Sequence, residues 1–197
     1  MAYINFWQIG IDQINDTVRR LLVAIDQIEP MAAESLAQFE GKNMSDEEQE
    51  WLNDYAADEG YMAREAMGAG KQIIPVVIQS YLENWLQTIW KRTRKAKLRR
   101  KPRELNTVEH VLQQLGILAT DIPKLPGYTD AVECWQVANG VKHGLGKASV
   151  NVTLVGGKSI AAGSNIDYSQ LRFDEYSNSV VHLLTAVAKY ASSTETA

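Results

Sequence analysis

Residues 4–28 read INFWQIGIDQINDTVRRLLVAIDQI, and the apolar members Ile4, Trp7, Ile11, Ile14, Val18, Leu21, Ile25 and Ile28 are spaced 3, 4, 3, 4, 3, 4, 3. A helix turns by about 100° per residue, so alternating steps of three and four hold these side chains on one face. Gln8, Asp12, Asn15, Asp16, Arg19 and Arg20 fall elsewhere on the cylinder. The spacing predicts a helix of about seven turns with a heptad seam, broken or kinked at Pro30, which has no amide hydrogen and crowds the preceding turn. Near the other end Phe173, Tyr176, Val180, Leu183, Val187 and Tyr190 repeat the pattern. Two such seams in a chain divided by proline and glycine predict an all-α helical bundle rather than a long isolated coiled coil.

The intervening sequence supplies further elements. Ser45 followed by Glu48 is a capping-box pattern that starts a helix with Trp51, Tyr55, Met62 and Ala66 as its apolar stripe. Gly68 and Gly70 are expected to close it, and Pro75 to open the next helix, on which Ile74, Ile78, Tyr81, Trp85 and Ile89 face the core. That helix continues into the basic run and stops at Pro102. Asn106 caps a short helix over 108–115, closed by Gly116. After Pro123, Pro126 and Gly127 another helix begins near Thr129 or Asp130 and ends at His143-Gly144. Val150, Val152 and Leu154 alternate with polar residues before Gly156-Gly157, predicting a small β-hairpin ahead of the last helix. Trp7, Trp51, Trp85 and Trp90 are read as core.

A chain of 197 residues with 45% hydrophobic and 22% charged residues can form one domain with a substantial core. We place that domain at 1–191 and a frayed tail at 192–197. The single cysteine, Cys134, excludes an internal disulfide and a cysteine-rich zinc site, and is expected in the core. No early basic residue precedes the first apolar run, and no run approaches a membrane span. These features suit a soluble, cytoplasmic protein without a membrane anchor. His110 and His182 fall on separate helices without ligand spacing, and no phosphate loop or nucleophile elbow is present, so no metal or cofactor is expected.

The helix ending at residue 144 carries the chemistry. With Cys134 at 0° on a helical wheel, Val137, Ala138 and Val141 lie within about 60° of it, whereas Asn139 and His143 lie at about 140° and 180°. Asn139 and His143 are thus expected to point away from the core, one turn apart, with Trp135 on the same outward ridge. An exposed tryptophan there suggests a covering partner, most economically a second copy that brings two His143 side chains to a shared cleft. Gly144 and Gly146 leave room beside them. At the carboxyl end of a helix the dipole favours a protonated imidazole.

Asn139, Lys142, His143 and Gly144 form an N-x-x-K-H-G stretch at the end of a late helix. In this the chain resembles the HEPN superfamily (higher eukaryotes and prokaryotes nucleotide-binding), whose helical domains usually dimerise. The resemblance implies RNA as target and metal-independent endoribonuclease chemistry or a catalytically degenerate RNA-binding relative, with a role in bacterial defence or a toxin–antitoxin system. It implies catalytic roles for His143, Asn139 and Lys142. Histidine suits proton transfer at a ribose hydroxyl because its reference pKa is roughly 6.5, while a fixed cation stabilises charge developing on the phosphate. Active members carry an arginine four to six intervening residues before the histidine; here those positions are Ala138, Val137 and Gln136, leaving Lys142 or Arg172 as candidate cations.

Net charge is −4, but residues 91–103 hold nine of the 20 basic residues and no acid. Lys91, Arg92, Arg94, Lys95, Lys97, Arg99, Arg100, Lys101 and Arg103 form a candidate nucleic-acid-binding segment, able to displace counterions from a phosphate backbone without reading sequence. No aromatic residue lies among them for base stacking. The same segment could instead pair with the acidic 46–65 stretch. The alternative function is therefore a noncatalytic module that recognises a protein partner through its helical surfaces and opposed charges.

Overall fold

A computed structural model describes the backbone of residues 2–92, 109, 112–113, 116–144, 146–148, 150–154 and 157–195, and the side chains of these residues except 2–9, 11, 90–92 and 193–195. Five helices are described: α1 (Ala2–Asp26), α2 (Ile28–Ala37), α3 (Asp46–Arg92), α4 (Tyr128–Gly144) and α5 (Phe173–Glu195). Strands β1 (Val152–Thr153) and β2 (Ser159–Ile160) form the hairpin between α4 and α5. The fold is an all-α bundle: α3 packs on α1, α4 and α5, α1 and α4 also pack on α5, and α2 lies along α3.

Where their side chains are described, the two seams face the core; those of Ile4, Trp7 and Ile11 lie outside the described residues. On α1, Ile14, Val18 and Ile25 are buried and Leu21 packs against them half-buried. On α5, Phe173, Tyr176, Val180, Leu183 and Val187 are buried, and the half-buried Tyr190 donates its hydroxyl to Gly116 O at 2.7 Å. Each fully buried aliphatic side chain stabilises the fold by about 1.5–3 kcal/mol relative to exposure. One apolar cluster runs through α1, α3, α4, α5 and the hairpin. The last helix extends to Glu195, beyond the boundary at 191 expected for the tail.

The break after α1 falls at Gln27, before Pro30. The proline ring would strike the carbonyl four residues back, that of Asp26, where α1 stops. Pro30 itself sits in the first turn of α2, where amides lack helical partners anyway.

The expected division of 45–92 into two helices is not observed: α3 is one helix of 47 residues with Pro75 inside it. Its start is as expected. Glu48 accepts from the Ser45 amide at 2.8 Å, and the Glu48 amide donates to Ser45 Oγ at 3.3 Å. Gly70 does not end the helix but lets α1 approach, since a Cβ there would lie 2.8 Å from Ile25 Cγ1. Proline inside a helix costs about 3 kcal/mol. Burial of Ile74, Ile78, Leu82, Leu86 and Ile89 along one continuing face outweighs that cost.

The amino-terminal half of α3 also departs from expectation. Trp51 and Met62 are 56% and 64% exposed, and Ala66 is exposed, so this stripe is not core. Periodicity marks a face but does not supply something to cover it. Trp85 packs half-buried on the core, while the side chains of Trp7 and Trp90 lie outside the described residues.

Most of the predicted 108–115 helix lies outside the described residues, but its closure is visible. Gly116 has φ +91°, its amide donates to Gln113 O, and the Ile117 amide donates to Leu112 O at 3.1 Å. This is a Schellman ending, which needs the left-handed conformation that glycine adopts without a Cβ penalty. In the hairpin Val152 pairs with Ile160 and Thr153 with Ser159. Val152 and Leu154 point inward, whereas Val150 is 50% exposed and does not share their burial. Among the described residues no helix is long and apolar enough to cross a membrane.

Candidate functional site

Helix α4 starts where the chain passes closest to α5. Gly127 has φ +76°, and a Cβ there would lie 2.0 Å from Ser179 O. One turn on, a polar cluster fastens the two helices. Arg172 Nη2 lies 2.7 Å from Asp130 Oδ1 and 3.7 Å from Glu133 Oε2, and Ser179 Oγ donates to Asp130 Oδ2 at 2.8 Å. The Tyr176 hydroxyl donates to Glu133 Oε1, and burial together with this bond pushes the phenol well above its usual range. Glu133 is only 4% exposed, so its partners offset the desolvation of a carboxylate on a helix's inner face.

Of the four residues the wheel places on the inward face of α4, Cys134, Val137 and Ala138 are buried and Val141 is half-buried. Burial raises the Cys134 thiol pKa, and Sγ donates to Pro75 O at 3.7 Å. Of the three positions at which the HEPN pattern has arginine, 137 and 138 therefore face the apolar core, and Gln136 is half-buried.

Toward its carboxyl end α4 meets α3 and the chain returning from the hairpin. Gly140 permits this closeness, since a Cβ would lie 2.6 Å from Ile166 Cδ1 and 2.8 Å from Lys147 O. Asn139 does not project freely. It is half-buried, and its Oδ1 accepts from Gln79 Nε2 at 3.2 Å. Gln79 Nε2 also donates to Glu83 Oε1 at 2.9 Å, while Gln79 Oε1 is buried without a hydrogen-bond partner among the described residues. Trp135 is half-buried against the core instead of standing on an outer ridge.

Lys142 and His143 are exposed, and neither side chain has a hydrogen-bond or ion-pair partner among the described residues. Lys147 is exposed beside them: the turn after α4 bonds its amide to Gly144 O at 3.0 Å, and a Cβ on Gly144 would touch its Cβ at 3.7 Å. The Tyr168 hydroxyl is buried without a partner among the described residues, and a Cβ on Gly146 would lie 3.6 Å from it.

The structure thus brings Lys142, His143 and Lys147 to one helix end and ties Asn139 to α3. Arg172 belongs elsewhere: its carboxylate partners precede His143 by ten residues or more, about 15 Å along the helix axis. Of the basic segment, Lys91 and Arg92 are the last described residues of α3, while their side chains and residues 93–103 lie outside the described residues. Gln79, Glu83 and Tyr168 are neighbours that the sequence reading missed. Gln79 carried a signal, because it falls within about 20° of Leu86 on the wheel of α3, on the edge of the core face. Among the described residues no group of three or more His, Cys, Asp or Glu could hold a metal ion. No protein-family model, characterised protein or solved structure matches this chain.

Proposed function

We propose that the chain is an RNA-directed protein of the HEPN type that acts as a homodimer in bacterial defence or a toxin–antitoxin pair. The observation that carries this reading is the exposed Lys142–His143 pair, unpartnered among the described residues, at the end of a helix packed on α3, α5 and the hairpin strand β1. A phosphate diester could approach it without first breaking a salt bridge. Lys142 and Lys147 would neutralise the phosphate, Asn139 would supply an amide held in place by Gln79, and His143 would move the proton at the ribose hydroxyl. The basic residues between 91 and 103 would add a sequence-independent attraction. With apolar residues at 137 and 138, Lys142 is the cation this reading assigns to the developing charge.

Two measurements test it. Binding of generic single-stranded RNA should fall steeply as salt rises, and Lys142→Ala should reduce the logarithmic salt slope by about one. Absence of RNA binding at low salt would reject the reading. Cleavage is tested by RNA degradation in EDTA: His143→Ala should abolish it while leaving binding within a few-fold. Equal rates for both proteins would remove His143 as a catalytic residue.

A second reading, a protein-interaction module, is favoured by one different observation, the exposure of Trp51, Met62 and Ile73 on α3.

A further inference from the structure

Trp51, Tyr55, Met62, Ala66, Ala69 and Ile73 lie within about 60° of one another on the wheel of α3, a stripe about 33 Å long. Trp51, Met62 and Ile73 are each more than half exposed, and Ala66 and Ala69 are exposed. The inner face of the same segment holds Ala63 and Gly70, which meet the rest of the fold, so beyond the Trp51 and Tyr55 rings the stripe is not the surface by which this segment packs. Its amino-terminal end is already ordered: the Trp51 and Tyr55 rings stack at 5.4 Å with 7° between planes, and Phe39 meets both edge-on. Rigid aromatic groups of this kind lose little entropy on binding and commonly anchor interfaces.

Charge selects the occupant. Residues 46–65 contain eight acidic side chains and one basic one, Arg64. Asp54, Asp58 and Glu65, all exposed, run beside one edge of the stripe and within about 60° of that edge. Glu59, which accepts from the Tyr55 hydroxyl at 2.9 Å, lies near the other. A second copy packed antiparallel would set the Asp54, Asp58 and Glu65 edge against itself, like charge on like. RNA would be repelled.

We infer that the Trp51–Ile73 stripe docks an amphipathic helix of another protein whose apolar face is flanked by lysine or arginine. Apolar side chains of that helix would cover Trp51, Met62 and Ile73, with the small Ala66 and Ala69 admitting close approach. Its basic edges would meet the acidic rows. This gives the interaction reading a surface and a partner class, and it stands whether or not α4 binds RNA.

The test is calorimetric titration of the full chain with three synthetic peptides: a 21-residue leucine-seamed helix edged with lysine, the same helix edged with glutamate, and residues 91–103 of this chain. The lysine-edged helix should bind, the glutamate-edged one should not, and the variant Trp51→Ser/Met62→Ser/Ile73→Ser should bind the former at least about tenfold more weakly with its circular dichroism unchanged. Affinity unaffected by the triple substitution would overturn the proposal by reducing the interaction to charge alone. Binding of the 91–103 peptide as tightly as the lysine-edged helix would overturn it in favour of the chain's own basic segment. Sedimentation showing a dimer that the triple variant converts to monomer would overturn it in favour of a second copy.

Discussion

Gln79 Nε2 is 3.2 Å from Asn139 Oδ1, while the Oε1 of the same buried side chain has no hydrogen-bond partner among the described residues. The amide thus holds Asn139 through its donor end and leaves its acceptor unsatisfied. An orphaned buried acceptor costs about 1–3 kcal/mol, comparable with what the donor's bonds return. Gln79→Leu should accordingly change stability by no more than about 1 kcal/mol in urea denaturation, because the orphan and its bonds vanish together. Asn139→Ala should cost about 1 kcal/mol. On the RNA reading, Gln79→Leu should also weaken RNA binding with the fold intact, a separation that a purely structural glutamine would not produce.

The polar cluster between α4 and α5 makes the opposite prediction. Arg172 is the cation facing both Asp130 and the buried Glu133. Exposed ion pairs contribute at most about 1 kcal/mol, and breaking buried ones costs about 3–5 kcal/mol. With side-chain exposures of 31% for Arg172 and 24% for Asp130, Arg172→Met should fall between, at about 2 kcal/mol. Tyr176→Phe should cost about 1.5–3 kcal/mol, the range for a hydrogen bond to a charged group. Because α4 is anchored from this end, loss of Arg172 should also lower amide-exchange protection along α4. Unchanged protection would show that the cluster does not fasten the helix.

The bundle's outer helices were legible in the sequence because their seams meet other seams: Ile14, Val18, Tyr176 and Leu183 are each fully buried at positions that spacing alone assigns. The continuity of α3 was not, because Gly70 and Pro75 carry local helix-breaking costs that only tertiary packing on Ile25 and along the Ile74–Ile89 face reverses. Trp51 and Met62 show the converse, an apolar repeat that the described part of the chain leaves uncovered. At the candidate site, the exposure of His143 followed from the wheel. Asn139 was misjudged because its partner Gln79 is 60 positions away, a distance no local pattern spans. Glu133 was missed for the same reason: its partners Arg172 and Tyr176 lie just before the next helix and in its first turn.

Two glycines separate backbone strain from steric exclusion. Gly127 and Gly157 have nearly equal φ values, +76° and +84°, so alanine meets a similar conformational penalty at each, about 1–2 kcal/mol. Only at Gly127 would the new Cβ strike backbone, 2.0 Å from Ser179 O; at Gly157 nothing lies within 4 Å. Gly157→Ala should therefore lose about 1 kcal/mol, and Gly127→Ala at least about 2 kcal/mol more, since α4 must shift away from α5. Thermal melts of the two variants compare them directly. Equal losses would mean that the close approach at Ser179 is not what requires glycine.

Three buried or half-buried acids share one direction of shift, which fixes the sign of the alkaline response. Burial raises the Cys134 thiol above its ordinary 9.0, and burial with carboxylate bonds raises the Tyr128 and Tyr176 phenols above 10.0. Each group stays protonated in the folded chain at a pH where the unfolded chain has released its proton. The unfolded state then binds fewer protons, so stability falls as pH rises. This contribution is fully present below the unfolded values of 9.0 and 10.0, and is lost progressively as pH climbs toward the folded ones. For the fully buried Cys134 the slope approaches about 1.4 kcal/mol per pH unit. Urea midpoints measured from pH 7 to about pH 11 should therefore decline with a bend near 9. Cys134→Ala should flatten the limb from that bend upward, and Tyr176→Phe should flatten it only above 10, the order in which the unfolded groups ionise. A wild-type limb that neither substitution alters would show that these groups titrate alike in both states, contrary to their burial.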